Sequence, residues 1–146
     1  MEPQRIVVGL DGSEGSLVAL RAAAAEAKVR AAVLEVVCAW HPSSMGSIPA
    51  FGVGSPTAHS LDELRTALDE TLAAEGLGPD DGIKVESRVV TGHAAEALLD
   101  AAERATLVVV GTRGRGGFAG LVLGSVSQQV VTHARCPVMI VPHSRP

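Results

Sequence analysis

The fold is decided by the stretch Thr106-Leu-Val-Val-Val-Gly-Thr-Arg-Gly114 and, after nine intervening residues, by Gly124-Ser-Val-Ser-Gln-Gln-Val-Val-Thr-His133. The first stretch begins as an apolar run with the length of a buried strand, and the second has apolar residues at helical spacing. The pattern predicts a strand, a glycine-rich loop and a helix. Backbone N–H groups at a helix start have no intrahelical partner and lie at the positive end of the helix dipole. The junction is therefore a predicted oxyanion site, and phosphate is the anion that it suits.

The glycine spacing excludes two common nucleotide loops. A P-loop requires G-x-x-x-x-G-K-[ST], but the only lysines, Lys28 and Lys84, lie far from this loop. The dinucleotide fingerprint G-x-G-x-x-G would fall at the first strand-to-helix junction, where the chain instead reads Gly9-Leu-Asp-Gly-Ser-Glu-Gly15. The pattern that fits is G-x2-G-x9-G-[ST], which begins at Gly111.

Composition narrows the class of protein. The chain has 146 residues, 47% of them hydrophobic, which predicts one domain spanning residues 1–146 with a substantial core. A net charge of −4 and only three aromatic residues argue against a nucleic-acid partner. Cys38 and Cys136 lack redox or zinc spacing and are expected to be buried free thiols. No signal peptide or apolar run of membrane-spanning length is found, so we expect a soluble cytoplasmic protein without a membrane contact.

Outward from the deciding stretch, strand-length apolar runs alternate with helical patterns. This alternation predicts an α/β fold, an open five-stranded parallel sheet with helices on both faces. The predicted strands are Arg5–Leu10, Val33–Trp40, Ile83–Val90, Leu107–Gly111 and Val138–Val141. The predicted helices are Glu14–Arg30 with Ser13 as cap, Ser60–Glu75 opened by a capping box, Ala94–Arg104, and the helix from Ser125.

The segment His41–Thr57 interrupts this alternation, since it is rich in glycine and proline and has almost no periodicity. A connection of this length in a compact domain is usually functional or mobile. It follows the carboxyl end of the second strand, at the edge of the sheet where ligands bind in open α/β folds. The segment is therefore either a lid over a ligand or an insertion without contact to it.

Four segments together carry a family resemblance. They are Arg5-Ile-Val-Val-Gly-Leu-Asp-Gly-Ser13, Thr91-Gly-His-Ala-Ala-Glu96, the glycine-rich loop, and Cys136-Pro-Val-Met-Ile-Val-Pro142. With them the chain resembles the ATP-binding branch of the universal stress protein family over nearly its whole length. The resemblance implies strand order 3-2-1-4-5, in an adenine nucleotide alpha hydrolase-like (Rossmann-like) fold. It also implies ATP with Mg²⁺ or Mn²⁺ as ligand.

The positions that match the family's nucleotide site are Gly9, Leu10, Asp11, Ala39, Val110, Gly111, Arg113, Gly114, Gly124, Ser125, Val126 and Ser127. Asp11 would approach the phosphates through a water-bound cation, because a bare carboxylate beside a triphosphate is unfavourable. Its alternative role is to cap the first helix or shape the turn. The alternative for Gly111, Gly114 and Gly124 is a flexible surface turn whose serine is an ordinary helix cap. The alternative for Arg113 is a solvated side chain that contacts no ligand. Val110 and Val126 are either walls of the pocket or plain core, while backbone groups near Ala39 would hold the adenine.

No paired carboxylates, Ser/His/Asp set or Walker lysine can be assembled, and no metal is expected to be held directly by side chains. Such a site binds phosphates well and hydrolyses them slowly. The leading hypothesis is a nucleotide-dependent stress-response regulator with weak ATPase activity at most. One alternative is a dimeric interaction module of the same fold that binds no nucleotide; an adenylyl-transferring or ATP-pyrophosphatase enzyme is disfavoured because its motifs are absent.

The last predicted strand, Val138-Met-Ile-Val141, is apolar on both alternations and would lie at a sheet edge. Exposed edges of this kind pair with other chains unless they are covered. The sequence therefore predicts a homodimer through this strand, as the family resemblance also implies. The alternative is a monomer whose tail, His143–Pro146, covers the edge.

Overall fold

The computed structural model describes residues 2–40, 60–112 and 123–143, together with the backbone of residues 48–49 and 57–58. Helices and strands alternate along most of this chain. In order they are β1 (Arg5–Gly9), α1 (Glu14–Arg30), β2 (Val33–Trp40), β3 (Ile48–Pro49), β4 (Thr57–Ala58), α2 (Leu61–Ala74), β5 (Val85–Thr91), α3 (Ala94–Ala102), β6 (Leu107–Gly111), α4 (Ser125–His133) and β7 (Val138–Val141).

The main sheet has five strands in the order β5-β2-β1-β6-β7, and every pairing in it is parallel. Counting only these strands, the order is 3-2-1-4-5, so the predicted fold class is confirmed. β3 and β4 form a separate antiparallel pair within the long connection after β2. The rest of that connection, and with it the choice between lid and insertion, lies outside the described residues.

The two faces of the sheet carry separate cores because successive strand residues point to opposite sides. Ile6 and Val8 of β1 pack with α1 and α2, whereas Val7 packs with α3 and α4. α2 contributes the fully or nearly fully buried leucines Leu64, Leu68 and Leu72. Helices therefore cover both faces, as the near-continuous apolar strands predict.

The helix starts follow the predicted chemistry. The Ser13 hydroxyl accepts a hydrogen bond from the Ser16 N–H at 3.1 Å, and Ser60 does the same for Glu63 at 3.2 Å. These serines satisfy backbone donors that the first helical turn leaves without partners. Both predicted caps are confirmed.

Several predicted details differ from the structure. For α1 the helical spacing predicts an inward stripe of Leu17, Leu20, Ala24 and Ala27. The residues buried there are Ala19, Leu20, Ala23 and Ala27, while Leu17 and Ala24 are only partly buried. For α3 the spacing predicts Ala95, Leu98, Leu99 and Ala102, but Ala101 is buried and Leu99 is only partly buried. Alanine-rich helices leave the direction of the buried face poorly determined because small side chains fit on either flank.

Element boundaries shift by one or two residues, since β1 ends at Gly9 and β5 begins at Val85. The expectation of two buried thiols is half right, because Cys38 is buried but Cys136 is partly exposed. Cys136 stands just before an edge strand, where only one side has a neighbour. Among the described helices, none has the length and apolar character needed to span a bilayer.

A charged cluster lies on the sheet face that α3 and α4 cover. Glu35 is an interior residue of β2 with 1% exposure, and its Oε1 accepts a hydrogen bond from Arg88 Nη1 at 2.9 Å. Arg5 Nη1 lies 3.5 Å from Glu35 Oε2 and also donates to Glu86. Two arginines on the neighbouring strands therefore enclose a buried carboxylate.

Candidate functional site

The carboxyl ends of β1 and β6 mark the place where the strand order reverses. The two strands are neighbours, with Val8 opposite Val109. The chain then leaves β1 towards β2 on one side and leaves β6 towards β7 on the other. Open α/β sheets bind ligands in the crevice that this divergence creates. The predicted site residues after β1 and β6 therefore share one edge of the sheet.

The turn after β1 is organised by hydrogen bonds to Asp11. Its Oδ1 accepts from the Ser13 N–H at 2.9 Å and from the Ser13 hydroxyl at 2.5 Å. Gly12 between them has a φ of +84°, a conformation that glycine adopts without strain. The turn-shaping role of Asp11, which sequence left as an alternative, is thus part of the structure.

Ser16, in the first turn of α1, adds a second tie to the same turn. Its hydroxyl oxygen accepts from the Asp11 N–H at 3.3 Å and donates to the Ser13 carbonyl at 2.9 Å. Asp11 is thereby attached at both its main chain and its carboxylate. Sequence reasoning did not assign Ser13 or Ser16 to the site; the serine spacing in Asp11-Gly-Ser-Glu-Gly-Ser16 was the available signal.

The two ends of the glycine-rich loop are joined at its base. The Gly124 N–H donates to the Thr112 carbonyl at 2.6 Å, and the Ser127 hydroxyl donates to the Gly111 carbonyl at 2.6 Å. Ser127 is 6% exposed. Its hydroxyl proton is thus used within the protein, and the placement of Ser127 in the nucleotide site stays a prediction. Thr112, which sequence reasoning did not single out, takes part through its backbone carbonyl.

The N-terminus of α4 has the geometry expected of an anion site. Gly124 is the N-cap with extended backbone, and as a glycine it has no side chain with which to cap this helix end. The first intrahelical bond is made by the Gln128 N–H to the Gly124 carbonyl at 2.9 Å. The N–H groups of Ser125, Val126 and Ser127 precede it and have no intrahelical acceptor. Ser125 is exposed.

Ala39 presents backbone groups towards the same crevice. The Leu10 N–H donates to the Val37 carbonyl at 2.9 Å, so the polar backbone groups of Val37 point towards β1. Ala39, two residues later, points its backbone groups the same way. β1 has ended at Gly9 by this point. These groups extend beyond the last rung between β1 and β2, as an adenine-binding edge requires.

Four predicted site residues take part in packing. A Cβ on Gly9 would lie 3.1 Å from Leu98 Cδ1, so α3 makes a close approach to β1 there. Val110 is buried, and Val126 packs against the same core between the sheet and α3 and α4. Both valines are therefore part of this core, and their role as pocket walls stays a prediction. Leu10 is also buried, in the core on the opposite face.

Arg113 and Gly114 lie outside the described residues. The structure thus describes the start of the predicted phosphate loop, residues 111–112, and its end from residue 123 onward. What the described residues bring to one edge of the sheet is the turn at Asp11, the backbone of Ala39, and the base of the loop from Gly111 to Ser127.

The side chains described near the site suit a cation that is coordinated mainly by a bound ligand rather than by the protein. Among the described residues no three His, Cys, Asp or Glu side chains group closely enough to hold a metal. Asp11 offers a carboxylate at the site edge, and Mg²⁺ commonly binds through one or two carboxylates, water and substrate phosphates. Asp11 therefore fits a water-mediated contact to a cation that arrives with a polyphosphate.

The pKa of Cys38 reports on the surroundings of Asp11. Burial raises the pKa of the Cys38 thiol to about 12, and the negative charge of Asp11 contributes to the same rise. Cys38 lies on β2, so the Asp11 carboxylate is close enough to the second strand to act on it electrostatically.

Comparison with known proteins agrees with this architecture. The family model described as "Universal stress protein family" matches residues 2–142. A universal stress protein of Mycolicibacterium smegmatis is 42% identical over 138 residues, which cover 93% of this chain and 45% of that protein. The chain spans about half the length of the mycobacterial relatives that it matches.

Two solved structures extend the comparison to ligands. A universal stress protein in complex with cAMP has 32% identity and a TM-score of 0.65, with coverage of 99% of this chain and 100% of that one. The universal stress protein of Archaeoglobus fulgidus in complex with dAMP has 25% identity and a TM-score of 0.63, with coverage of 96% and 98%. The chain belongs to the universal stress protein family.

Proposed function

We propose that this protein binds an adenine nucleotide, ATP together with Mg²⁺ or Mn²⁺, and acts as a nucleotide-dependent regulator of a stress response. The observation that carries the proposal is the N-terminus of α4, which begins at a glycine N-cap without a side chain and is tied to the end of β6 by the bonds of Gly124 and Ser127. Such an end attracts anions and needs no rearrangement to do so. The cAMP and dAMP complexes of two relatives support adenine nucleotides as the class of ligand.

Each part of the site has a separate task in this proposal. The phosphates lie against the N–H groups of Ser125 to Ser127, with Gly111, Gly114, Gly124 and Arg113 of the loop around them. Asp11 contacts the cation through water, and the backbone at Ala39 meets the adenine edge. When bound, the cation supplies charge neutralisation for the phosphates.

Hydrolysis is slow in this proposal. Phosphoryl transfer needs positioned charge around the leaving phosphate and a group that orients the attacking water. Among the described residues near the site, Asp11 is the only carboxylate that we assign to it, and its Oδ1 already accepts two hydrogen bonds from Ser13. The site therefore favours occupancy over turnover, as a regulator requires.

We also propose a homodimer through β7. The Val108 N–H bonds to the Pro137 carbonyl, so the backbone groups of Val138 and Ile140 point away from the sheet. Ile140 is also an exposed large apolar side chain at 39%. On the opposite edge, Arg65 donates to the Ser87 carbonyl of β5 at 3.0 Å. A charged side chain on an edge discourages pairing there, which favours β7.

Isothermal titration with ATP and Mg²⁺ tests nucleotide binding. We expect saturable binding by the wild type and a loss of affinity in Asp11→Ala and Gly114→Ala. Asp69→Ala is the matched control, because Asp69 is an exposed aspartate on α2. If the wild-type protein binds none of ATP, dAMP and cAMP, that result would favour the alternative, a dimeric interaction module that binds no nucleotide. Rapid steady-state product formation would instead contradict the regulatory role.

A further inference from the structure

We propose that Ser16 is a positioning residue that holds Asp11 in place for the cation bound with the nucleotide. The inference rests on the proposed function, because it assigns Ser16 a task in that same site. Ser16 lies on α1, outside the glycine-rich loop, and the capping of α1 is assigned to Ser13 rather than to it.

The geometry forms a closed circuit of hydrogen bonds through three residues. The Ser16 N–H donates to the Ser13 hydroxyl, which donates to Asp11 Oδ1 at 2.5 Å. The Asp11 N–H donates to the Ser16 hydroxyl at 3.3 Å, and that hydroxyl donates to the Ser13 carbonyl at 2.9 Å. Every member of the circuit therefore restrains the other two.

The directions of these hydrogen bonds give the hydroxyls of Ser16 and Ser13 different roles. A hydroxyl has one proton to donate. The Ser13 hydroxyl donates its proton to the Asp11 carboxylate and accepts a hydrogen bond from the Ser16 N–H. That N–H is a backbone group, so replacing the Ser16 side chain with alanine does not remove it. Removal of the Ser16 hydroxyl therefore leaves the helix cap and both bonds from Ser13 to the carboxylate in place. It removes the bond to the Asp11 main chain and one donor to the Ser13 carbonyl, which still accepts from the Leu17 N–H at 3.1 Å.

Gly12 makes that release consequential. It follows Asp11 directly and has a φ of +84°. Glycine has the widest backbone freedom of any residue, so it allows the main chain of Asp11 to move relative to α1 once the Asp11 N–H has lost this acceptor. The Ser16 hydroxyl supplies the restraint that the glycine lacks. Without it, the carboxylate keeps its bonds to Ser13, but the main chain that carries it is less fixed, so its position relative to the cation is less well defined.

Binding with and without Mg²⁺ tests this inference. The quantity measured is the cation gain, the ratio of the ATP Kd without metal to the Kd with Mg²⁺. We expect Ser16→Ala to lower the cation gain by about 10-fold, the smaller end of the effect typical for residues that support a metal ligand. Ser16→Thr retains the hydroxyl and should restore the gain. Ser60→Ala, which removes a helix cap on α2, is the control for lost stability alone.

The possible outcomes distinguish a failure of the Ser16 inference from a failure of the proposed nucleotide binding. A wild-type protein that binds no nucleotide defeats both. If the wild type binds and Ser16→Ala keeps the full cation gain, or weakens ATP equally with and without metal, Ser16 does not position Asp11. Amide hydrogen exchange of the nucleotide-free protein provides a second readout: the Asp11 N–H should exchange faster in Ser16→Ala, and an unchanged rate overturns the inference.

Discussion

The Ser127 hydroxyl oxygen lies 2.6 Å from the Gly111 carbonyl oxygen, and this bond joins the helix α4 to the end of the strand β6. Ser127 is almost completely buried at 6% exposure. The bond encloses residues 112–126, so the glycine-rich loop begins and ends at a fixed base. A fixed base holds the first turn of α4 against the sheet edge before any ligand arrives, which lowers the cost of ordering the site on binding.

Replacing Ser127 with alanine should therefore weaken both the fold and the site. The Gly111 carbonyl would lose a buried donor, and a loss of this kind typically costs about 1 to 3 kcal/mol in the free energy of unfolding. Denaturant titration measures that loss, and ATP titration should show weaker binding in the same variant.

Thr132→Ala is the matched control for this prediction. The Thr132 hydroxyl also donates to a carbonyl, that of Gln128 in the same helix, but Thr132 is exposed. Exposed substitutions usually change stability by about 0.5 kcal/mol or less. Equal losses of stability in Ser127→Ala and Thr132→Ala would contradict the prediction, because the bond between Ser127 and Gly111 would then contribute no more to stability than the exposed bond of Thr132.

The charged cluster around Glu35 predicts an asymmetric mutational response. Arg88→Met leaves the carboxylate of Glu35 buried with Arg5 alone, and breaking a buried pair costs about 3 to 5 kcal/mol. Because Arg88 is itself 43% exposed, we expect the lower end, about 3 kcal/mol, in chemical denaturation. The double variant Glu35→Met with Arg88→Met should recover part of the loss. Arg30→Met, which removes an exposed helical pair with Glu26, should cost about 0.5 kcal/mol or less.

The raised pKa of Cys38, about 12, predicts that this thiol is inert at pH 8. Only the thiolate reacts with disulfide reagents, and Cys38 stays protonated far above that pH. Cys136, whose pKa is also raised by burial but which is partly exposed, should react first. Labelling with and without denaturant, followed by mass measurement, checks the order. Fast modification of Cys38 in the folded protein would contradict the prediction.

The raised pKa of Cys38 also determines whether the free energy of unfolding rises or falls with pH. The thiol of the unfolded chain ionises near its ordinary pKa of 9.0, whereas the pKa of the folded thiol is about 12. Between these values the unfolded state binds fewer protons, so stability falls as pH rises through this range. Cys38→Ala should remove this component of the alkaline loss.

The proposed dimer predicts that Ile140→Lys is monomeric. A lysine at this position places a charge beside the open edge of β7 and opposes pairing. Light scattering after gel filtration measures the mass. Val29→Lys is the control, since Val29 is the most exposed of the large apolar residues described, at 85%, but lies on α1. A wild-type monomer, or a dimer that survives Ile140→Lys, would contradict the β7 interface.

Most of the fold could be predicted from sequence because its signals are local. Five apolar runs separated by helical patterns specify a parallel sheet, and serine caps such as Ser13 and Ser60 mark where helices begin. The inward face of α1 was less predictable, because a helix of alanines offers little contrast between its sides. Glu35 gave a partial signal: a lone carboxylate in an apolar strand requires a cation, but the register that supplies Arg88 is a property of the sheet.

The candidate site was predictable in position but not in its internal bonding. The glycine spacing and the strand order place the loop beside Asp11. The bonds from Ser127 to Gly111 and from Asp11 to Ser16 depend on rotamers and on turn conformations that no local pattern specifies. Sequence therefore placed Ser127 in the nucleotide site but did not predict that its hydroxyl joins the two ends of the loop.

A crystal structure grown with excess ATP and Mg²⁺ tests the central claim most directly. The account predicts phosphate oxygens within hydrogen-bonding distance of the N–H groups of Ser125 to Ser127, and the adenine edge against the backbone of Ala39. Nucleotide bound elsewhere, or a helix end of α4 without phosphate under saturating ATP, would contradict it.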